Sequence, residues 1–382
     1  MRIIVAPDSY KGSVSALEAA EAMERGIRAV FPAAEVIKVP LADGGEGTVA
    51  ALVTATDGRF LDHQVQGPLG TPVQARWGVL GDGQTAVMEM AAASGLTLVP
   101  EKDRDPRLTT TYGTGQLIKA VLDCGLRKII IGVGGSATND GGSGMARALG
   151  VKFLNAQGGE ISPGGSALAQ LACIDLTEID ARLGATEITV ACDVDNPLCG
   201  PRGASAVYGA QKGATAEMIS ELDAALAHYA QLALLATGRN IAQCPGAGAA
   251  GGLAAGLLFF TQAQLRRGID IVLETTEFSR LVKNADLVIT GEGQTDGQTA
   301  FGKAPVGVAR AAKAGGVPVV CLAGALGPGA ENVLVRGIDA LMSITAQPMA
   351  LAECRRQGVT LIEAATARLC RLIAVGRSMT ER

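Results

Sequence analysis

Five polar segments of this sequence carry carboxylate side chains, four of them together with glycine, and each follows a strand-like run of apolar residues. They are Pro7–Gly12 (PDSYKG), Ala42–Thr48 (ADGGEGT), Gly132–Gly142 (GVGGSATNDGG), Asp193–Pro197 (DVDNP) and Gly291–Lys303 (GEGQTDGQTAFGK). Ligands of open parallel sheets bind outside the carboxyl ends of the strands. We therefore expect the five segments to line one edge of each sheet and to face a shared cleft.

The third segment has the composition of a phosphate-binding loop. Glycine-rich backbone at the start of a helix presents N–H groups to an anion. The residues that suit such a cradle are Gly134, Gly135, Ser136 and Thr138. A tight strand-to-helix connection would explain one of the glycines, but it does not need Ser, Thr, Asn and Asp in succession. We therefore favour the phosphate cradle.

The acidic residues of the five segments predict a metal-assisted phosphoryl transfer. Several carboxylates near a polyphosphate would repel it unless a cation intervenes, and Mg²⁺ prefers carboxylate and phosphate oxygens. The acids that we weight most are Asp8, Asp43, Asp193, Glu292 and Asp296, and the available lysines are Lys11, Lys212 and Lys303. Asp140 and Asp195 fit a helix N-cap or an Asx turn instead.

The elements that position these segments alternate between strand and helix. Arg2–Ala6 and Val36–Pro40 are predicted strands, and the predicted helix Ser15–Phe31 between them begins with Ser15 and Glu18 as a capping box. Strand, helix and strand within about 40 residues form a βαβ unit, which implies a parallel sheet.

The middle of the chain differs from its two ends. Residues 65–110 contain GPLGTPV turns and a predicted hairpin around Gly81–Gly83, whereas the alternating pattern of the start returns from Ala285 onward. We therefore predict an α/β fold with a Rossmann-like parallel-sheet domain built from both chain ends and a second α/β domain inserted. The predicted domains are residues 1–65 with 283–382 and residues 66–282, with the active site in the cleft between them.

Composition and charge exclude several classes of protein. The formal net charge is −4 without a basic run, which argues against nucleic-acid and anionic-membrane partners. Eight cysteines form no CxxC pair and only 2 histidines exist, so a structural zinc site is not expected. No signal peptide precedes the strand-like MRIIVAP, and the apolar stretch 247–260 is too short to span a bilayer. We therefore expect a cytoplasmic protein.

Two further motifs nearly match known nucleotide-binding patterns. Residues 297–304 (GQTAFGKA) are similar to a Walker A loop, but Ala304 stands where the Mg²⁺-binding hydroxyl belongs. Residues 132–137 (GVGGSA) match the relaxed dinucleotide pattern, yet the next predicted strand ends in Asn155 instead of an acid for the ribose. An NAD(P)-dependent oxidoreductase acting on a small hydroxy acid is therefore the alternative function.

At these motifs the sequence resembles the type I glycerate kinases of bacteria, the bacterial glycerate 2-kinase family. The resemblance covers nearly the whole chain, from APDSYKGS through PLADGGEGT, TTTYGTG and GVGGSATNDGG to DVDNPL and ITGEGQTDGQTAFGKAP. It implies a Rossmann-like domain with an inserted α/β domain, and ATP-dependent phosphorylation of D-glycerate, with Mg²⁺, to 2-phosphoglycerate. The family name also covers 3-phosphorylating enzymes, and a homodimer is left open. Tyr10 stands where Phe is common, a mild departure.

If the resemblance holds, the motif residues take specific roles in an in-line phosphoryl transfer. A carboxylate accepts the proton of the acceptor hydroxyl, for which we choose Asp193, with Asp43 as the alternative and Lys11 as a further catalytic residue. The residues expected to bind glycerate are Asp8, Ser9, Arg107, Thr109 and Asn196, although Arg107 also fits a solvated loop residue. The residues expected to contact ATP are Gly134, Gly135, Ser136, Thr138, Asn139 and Lys303. Glu292 and Asp296 are expected to hold Mg²⁺.

Overall fold

The computed structural model describes residues 1–42 and 44–380, and in it strands and helices alternate along the chain. The strands are β1 (Arg2–Pro7), β2 (Glu35–Lys38), β3 (Arg59–Gln66), β4 (Pro72–Val79), β5 (Thr85–Glu89), β6 (Lys128–Gly132), β7 (Lys152–Leu154), β8 (Cys173–Asp175), β9 (Glu187–Ala191), β10 (Gln264–Arg266), β11 (Leu287–Thr295), β12 (Val319–Leu326) and β13 (Ala340–Ser343). The helices are α1 (Ala16–Arg28), α2 (Thr48–Ala55), α3 (Ala91–Ser94), α4 (Tyr112–Asp123), α5 (Ser143–Ala148), α6 (Ala204–Tyr208), α7 (Ala216–Thr237), α8 (Leu253–Phe260), α9 (Gly268–Thr275), α10 (Phe278–Val282), α11 (Ala304–Ala314), α12 (Leu351–Arg356) and α13 (Gly358–Thr380). The predicted α/β fold class is confirmed.

The chain divides into two compact units. Unit 1 consists of Met1–Asp43, Ala50–Thr56 and Ile269–Arg382, and unit 2 of Gly44–Val49 and Asp57–Gly268. These bounds differ from the boundaries drawn from the sequence, because β3 pairs with β4 inside unit 2 and α9 packs on α11 inside unit 1. The assignment of residues 1–65 with 283–382 and of residues 66–282 to two domains stays a prediction.

The sheet of unit 1 is parallel throughout. Among the described residues it has five strands in the order β13-β12-β11-β1-β2, which is the 2-1-3-4-5 order of one common doubly wound fold. The strand order reverses between β1 and β11, where Pro7 pairs in register with Gly291. Ligands of doubly wound sheets bind at such a switch point, at the carboxyl ends of the strands.

The strand that precedes the fifth polar segment is longer than predicted. Gly291–Lys303 is predicted as a loop, whereas β11 continues to Thr295. The reason is the ladder with β12, which extends through the pairs of Glu292 with Ala323 and of Thr295 with Leu326. Glu292 therefore projects from a strand.

The first helix of unit 1 begins as the sequence predicted. The Ser15 side chain accepts a hydrogen bond from the backbone N–H of Glu18, whose carboxylate accepts one from the backbone N–H of Ser15. The buried face of α1 includes Met23 and Ile27, which pack in one core with Ile362 of α13. The predicted capping box is confirmed.

The sheet of unit 2 is mixed. Among the described residues it has six strands in the order β10-β9-β6-β5-β4-β3, of which β5, β6, β9 and β10 run parallel. The predicted hairpin is present as the antiparallel pair β4 and β5, and the core beneath the sheet includes Trp77, Phe153 and Tyr229. In residues 1–42 and 44–380, no helix combines the length and the apolar character that crossing a membrane requires.

Candidate active site

A group of polar side chains lies at the switch point of unit 1. The backbone N–H of Asp8 donates to the carbonyl of Gly291 (2.8 Å), so the first and fifth polar segments lie side by side. The Asp8 carboxylate accepts a hydrogen bond from the backbone N–H of Ser9 (2.6 Å). Tyr10 is buried beneath them, and Lys11 is exposed. The structure thus brings Asp8, Ser9 and Lys11 to the place where a doubly wound sheet binds its ligand.

Glu292 is the buried carboxylate of this group, with 7% of the residue exposed. The hydroxyls of Thr295 and Thr299 both donate to its Oε1, at 2.9 and 2.8 Å. Burial raises the pKa of Glu292, while these hydrogen bonds and the nearby Lys303 act in the opposite direction. Both hydroxyls donate to the same oxygen, so Oε2 is the carboxylate oxygen that could bind a cation.

Asp296 shares a partner with Glu292. Its Oδ1 accepts hydrogen bonds from the backbone N–H groups of Gln298 (2.8 Å) and Thr299 (3.3 Å), and Thr299 is the residue whose hydroxyl donates to Glu292. The Nζ of Lys303, which precedes α11, lies 3.9 Å from the same Oδ1. One cation and two carboxylates are therefore arranged around one threonine.

The donor set of this group fits Mg²⁺ in the way kinases bind it. Within the described part of the chain, no three His, Cys, Asp or Glu side chains gather into a site that could hold a metal ion. Mg²⁺ does not need such a set, because one or two carboxylates, phosphate oxygens and water complete its octahedron. Glu292 and Asp296 are the two carboxylates of this group that could take this part.

The corresponding edge in unit 2 is formed by the carboxyl ends of β5, β6 and β9. Glu89 pairs in register with Gly132, and Gly132 with Ala191. Gly44 lies directly on this edge, with a φ of +87° and with Ala191 so close that a β-carbon would come within 2.7 Å of its carbonyl oxygen. Only glycine fits there. The N–H of Gly134 donates to the carbonyl of Gly44 (3.0 Å), so this amide is already occupied.

Glu89, the last residue of β5, binds the backbone at the start of helix α2. Its carboxylate accepts hydrogen bonds from the backbone N–H groups of Val49 (2.8 Å), Gly47 and Thr48. Burial raises the pKa of Glu89, and the three amides partly offset the rise. Glu89 is not among the predicted site residues, because no polar, glycine-rich segment follows the strand that it ends.

Asp193 lies two residues beyond the carboxyl end of β9 and is exposed. Its Oδ1 accepts a hydrogen bond from the backbone N–H of Gly268 (3.1 Å), which orients the carboxylate. Asp195, two residues further on, forms an exposed ion pair with Arg202 (3.1 Å). Of the two acids, Asp193 is the one placed at the edge of the sheet.

The other residues expected to bind glycerate are engaged in unit 2. Asn196 accepts a hydrogen bond from the hydroxyl of Tyr208 (2.6 Å), and Arg107 forms a two-pronged ion pair with Asp105. Thr109 is buried and donates to a backbone carbonyl. These contacts favour structural roles, and they agree with the alternative reading of Arg107 as a partly solvated loop residue.

The residues expected to contact ATP differ in their access to solvent. Thr138 and Asn139 have no exposed surface, so a nucleotide could reach them only if the segment opened. Ser136 is 7% exposed, and Gly135 lies beside it with a φ of +75°. Because the Gly134 amide is occupied, Gly135 and Ser136 are the members of the expected cradle that remain in position for a ligand.

Two further acids were singled out in the sequence, Asp43 and Asp140. Asp43, the alternative base, lies outside the described residues. Asp140 is fully buried, and its carboxylate accepts hydrogen bonds from Thr111, Gly142 and Gly144. The bond from the N–H of Gly142 is that of an Asx turn, so the structural role predicted for Asp140 is confirmed.

These polar edges define a class of protein. Each unit carries its glycine-rich and acidic segments at the carboxyl ends of parallel strands. The set in unit 1 combines two carboxylates with a lysine. This arrangement is typical of α/β enzymes that bind phosphorylated ligands.

Comparison with known proteins identifies the family. The model of the glycerate kinase family matches residues 3–374, and the chain belongs to this family. It is 54% identical to the glycerate kinase of Bacillus subtilis (strain 168), over 99% of both chains, and 49% identical to the glycerate 2-kinase of Escherichia coli (strain K12), over 98% and 99%. A crystal structure from Salmonella typhimurium LT2, provisionally named glycerate kinase 2, matches with a TM-score of 0.89 and 49% identity over 99% of both chains. The resemblance seen in the motifs is confirmed, and the chain is a kinase.

Proposed function

We propose that the protein transfers the γ-phosphoryl group of ATP to the 2-hydroxyl of D-glycerate and forms 2-phosphoglycerate. The observation that carries this proposal is the grouping of Asp8, Lys11, Glu292 and Asp296 at the switch point of a doubly wound sheet. The name of the Escherichia coli relative, glycerate 2-kinase, supports the position of transfer.

The residues of unit 1 bind and neutralise charge in this proposal. The exposed Lys11 binds the carboxylate of glycerate. Asp8 and Ser9, beside it, form hydrogen bonds with the glycerate hydroxyls. Glu292 and Asp296 would hold Mg²⁺, which neutralises phosphate charge when bound. Lys303, close to Asp296, compensates further charge on the transferred group.

The residues of unit 2 supply the base and part of the phosphate cradle. The Asp193 carboxylate, oriented by the Gly268 amide, accepts the proton of the glycerate hydroxyl as the oxygen attacks phosphorus. Gly135 and Ser136 donate hydrogen bonds to the ATP phosphates. Asp43 stays the alternative base, and the cleft expected to bring all these residues to one substrate stays a prediction.

The reaction is tested by its products. Incubation with ATP, Mg²⁺ and D-glycerate is expected to release ADP only when glycerate is present, and phosphorus NMR is expected to identify 2-phosphoglycerate. The 3-phosphate as product would correct the position of transfer. ADP release that does not depend on glycerate would overturn glycerate as the acceptor.

Replacement of Glu292 by Ala tests the proposed metal site. We expect the Mg²⁺ concentration for half-maximal rate to rise about 10- to 100-fold, because one of two carboxylate ligands is lost. The measurement is a Mg²⁺ titration of the initial rate at saturating ATP and glycerate. Glu331→Ala, at an exposed acid of the same unit, serves as the control. Equal Mg²⁺ requirements for the two variants would remove Glu292 from the metal site.

A further inference from the structure

Lys212 is a lysine buried within unit 2, with 2% of the residue exposed. Its Nζ donates to the hydroxyl oxygen of Ser136 (2.8 Å) and to the backbone carbonyl of Thr138 (2.6 Å). Both partners belong to the glycine-rich segment after β6, so one amine holds two positions of that segment. Burying an ammonium group costs free energy, and these two hydrogen bonds are what offset it here.

The charged groups around the amine are few. Asp140, in the same glycine-rich segment, is fully buried, and its negative charge favours the protonated lysine. Arg104 packs its carbonyl and Cβ against Gly213, the residue after Lys212. Burial has the larger effect and lowers the pKa of Lys212 to about 7. Both charge states of the amine are therefore accessible near neutral pH.

We propose that Lys212 is a positioning residue for nucleotide binding, and that its charge state decides whether the Ser136 hydroxyl donates or accepts a hydrogen bond on the ligand side. The inference rests on the proposed function, in which Ser136 contacts the phosphates of ATP. Lys212 itself is buried behind Ser136 and acts through it.

The hydrogen-bonding capacities of the three groups give this result. The Thr138 carbonyl can only accept, so one N–H of Lys212 is committed to it in either charge state. The ammonium has further N–H groups and donates one to Ser136, which leaves the hydroxyl proton of Ser136 free to donate to a phosphate oxygen. The neutral amine has a lone pair and is a better acceptor than donor toward a hydroxyl, so in this state the Ser136 hydroxyl donates to Nζ and the hydrogen bond is reversed. In that state Ser136 turns its proton inward and presents only lone pairs to an anion.

The protonated lysine is therefore the state that suits a polyphosphate. As the pH rises through the pKa of Lys212, the protein loses one hydrogen bond to a charged phosphate, an interaction whose loss corresponds to about a tenfold change in affinity. Once the amine is fully deprotonated, a further rise in pH causes no further loss of ATP affinity through Lys212.

The test is the pH dependence of ATP binding, measured by titration calorimetry from about pH 6 to about pH 9, on both sides of the Lys212 pKa of about 7. Since ATP itself titrates in this range, the quantity compared is the ratio of the variant Kd to the wild-type Kd. For Ser136→Ala we expect a ratio of about 10 at the acid end that falls to about 1 at the alkaline end. Lys212→Met is expected to follow the same course, and the exposed control Lys119→Met to stay near 1 throughout.

The outcomes separate this inference from the proposed reaction. A Ser136→Ala ratio that does not change with pH would overturn the inference, and this variant decides the matter even if Lys212→Met fails to fold. Glycerate-dependent ADP release is measured on the same wild-type sample. If that release is absent while the binding ratio falls as expected, the proposed reaction fails and the role of Lys212 stands.

Discussion

The Asp193→Asn enzyme is expected to turn over glycerate about 10²- to 10⁴-fold more slowly than the wild type. Asn has the shape of Asp and can still accept the hydrogen bond from the Gly268 amide, so the local backbone is retained. It cannot take up the proton of the attacking hydroxyl. Because the base acts in the transition state, kcat falls while the KM for glycerate changes little. Initial rates of ADP formation measure both constants.

Asp195→Asn is the matched control for this prediction. Asp195 lies in the same loop, is exposed and forms an ion pair with the exposed Arg202, and exposed ion pairs contribute little. We expect its turnover to stay within about twofold of the wild type. If the two variants turned over equally fast with the same pH dependence of kcat, the base would lie elsewhere, and Asp43 would be the next residue to replace.

The part of the site that follows from strand order was accessible to sequence reasoning. Apolar runs followed by polar segments marked the carboxyl ends of β1, β6 and β9 and placed that of β11 too early, and parallel pairing brings Asp8 beside Gly291. The capping box of Ser15 and Glu18 is equally local, because both partners lie within one turn of helix. Patterns of this kind depend on neighbours along the chain or on one pairing rule.

What sequence reasoning could not supply is which polar groups turn inward. Ser136 and Thr138 are two residues apart in one polar segment, yet Ser136 retains some exposure and Thr138 has none. Lys212, more than 70 residues away, binds the side chain of one and the carbonyl of the other, and the local sequence does not reveal these contacts. Glu89 was missed for a similar reason, because its partners lie 40 residues earlier and glycine is absent around it.

The Asp140→Ala variant is expected to lose about 3 kcal/mol or more of the free energy of unfolding. Asp140 is fully buried, and its carboxylate accepts hydrogen bonds from the backbone N–H and the hydroxyl of Thr111 (2.8 and 2.9 Å) and from the N–H groups of Gly142 (3.1 Å) and Gly144 (3.2 Å). Each donor left unpaired away from water costs about 1–3 kcal/mol. Burial raises the pKa of Asp140, so removing the charge gives some relief. The free-energy cost of leaving four donors unpaired is larger than the gain from removing the buried charge.

Asp82→Ala distinguishes the effect of burial from the number of hydrogen bonds. The Asp82 carboxylate accepts from the N–H of Gln84 and from the N–H and hydroxyl of Thr85, but in an exposed hairpin turn of the same unit. Water replaces a lost acceptor there, so we expect a loss of about 1 kcal/mol or less. Urea unfolding followed by the fluorescence of Trp77, the single tryptophan and a buried residue of unit 2, reports on both variants. Equal losses would mean that the Asp140 donors find other partners, and the buried carboxylate would then not be what fixes the glycine-rich segment.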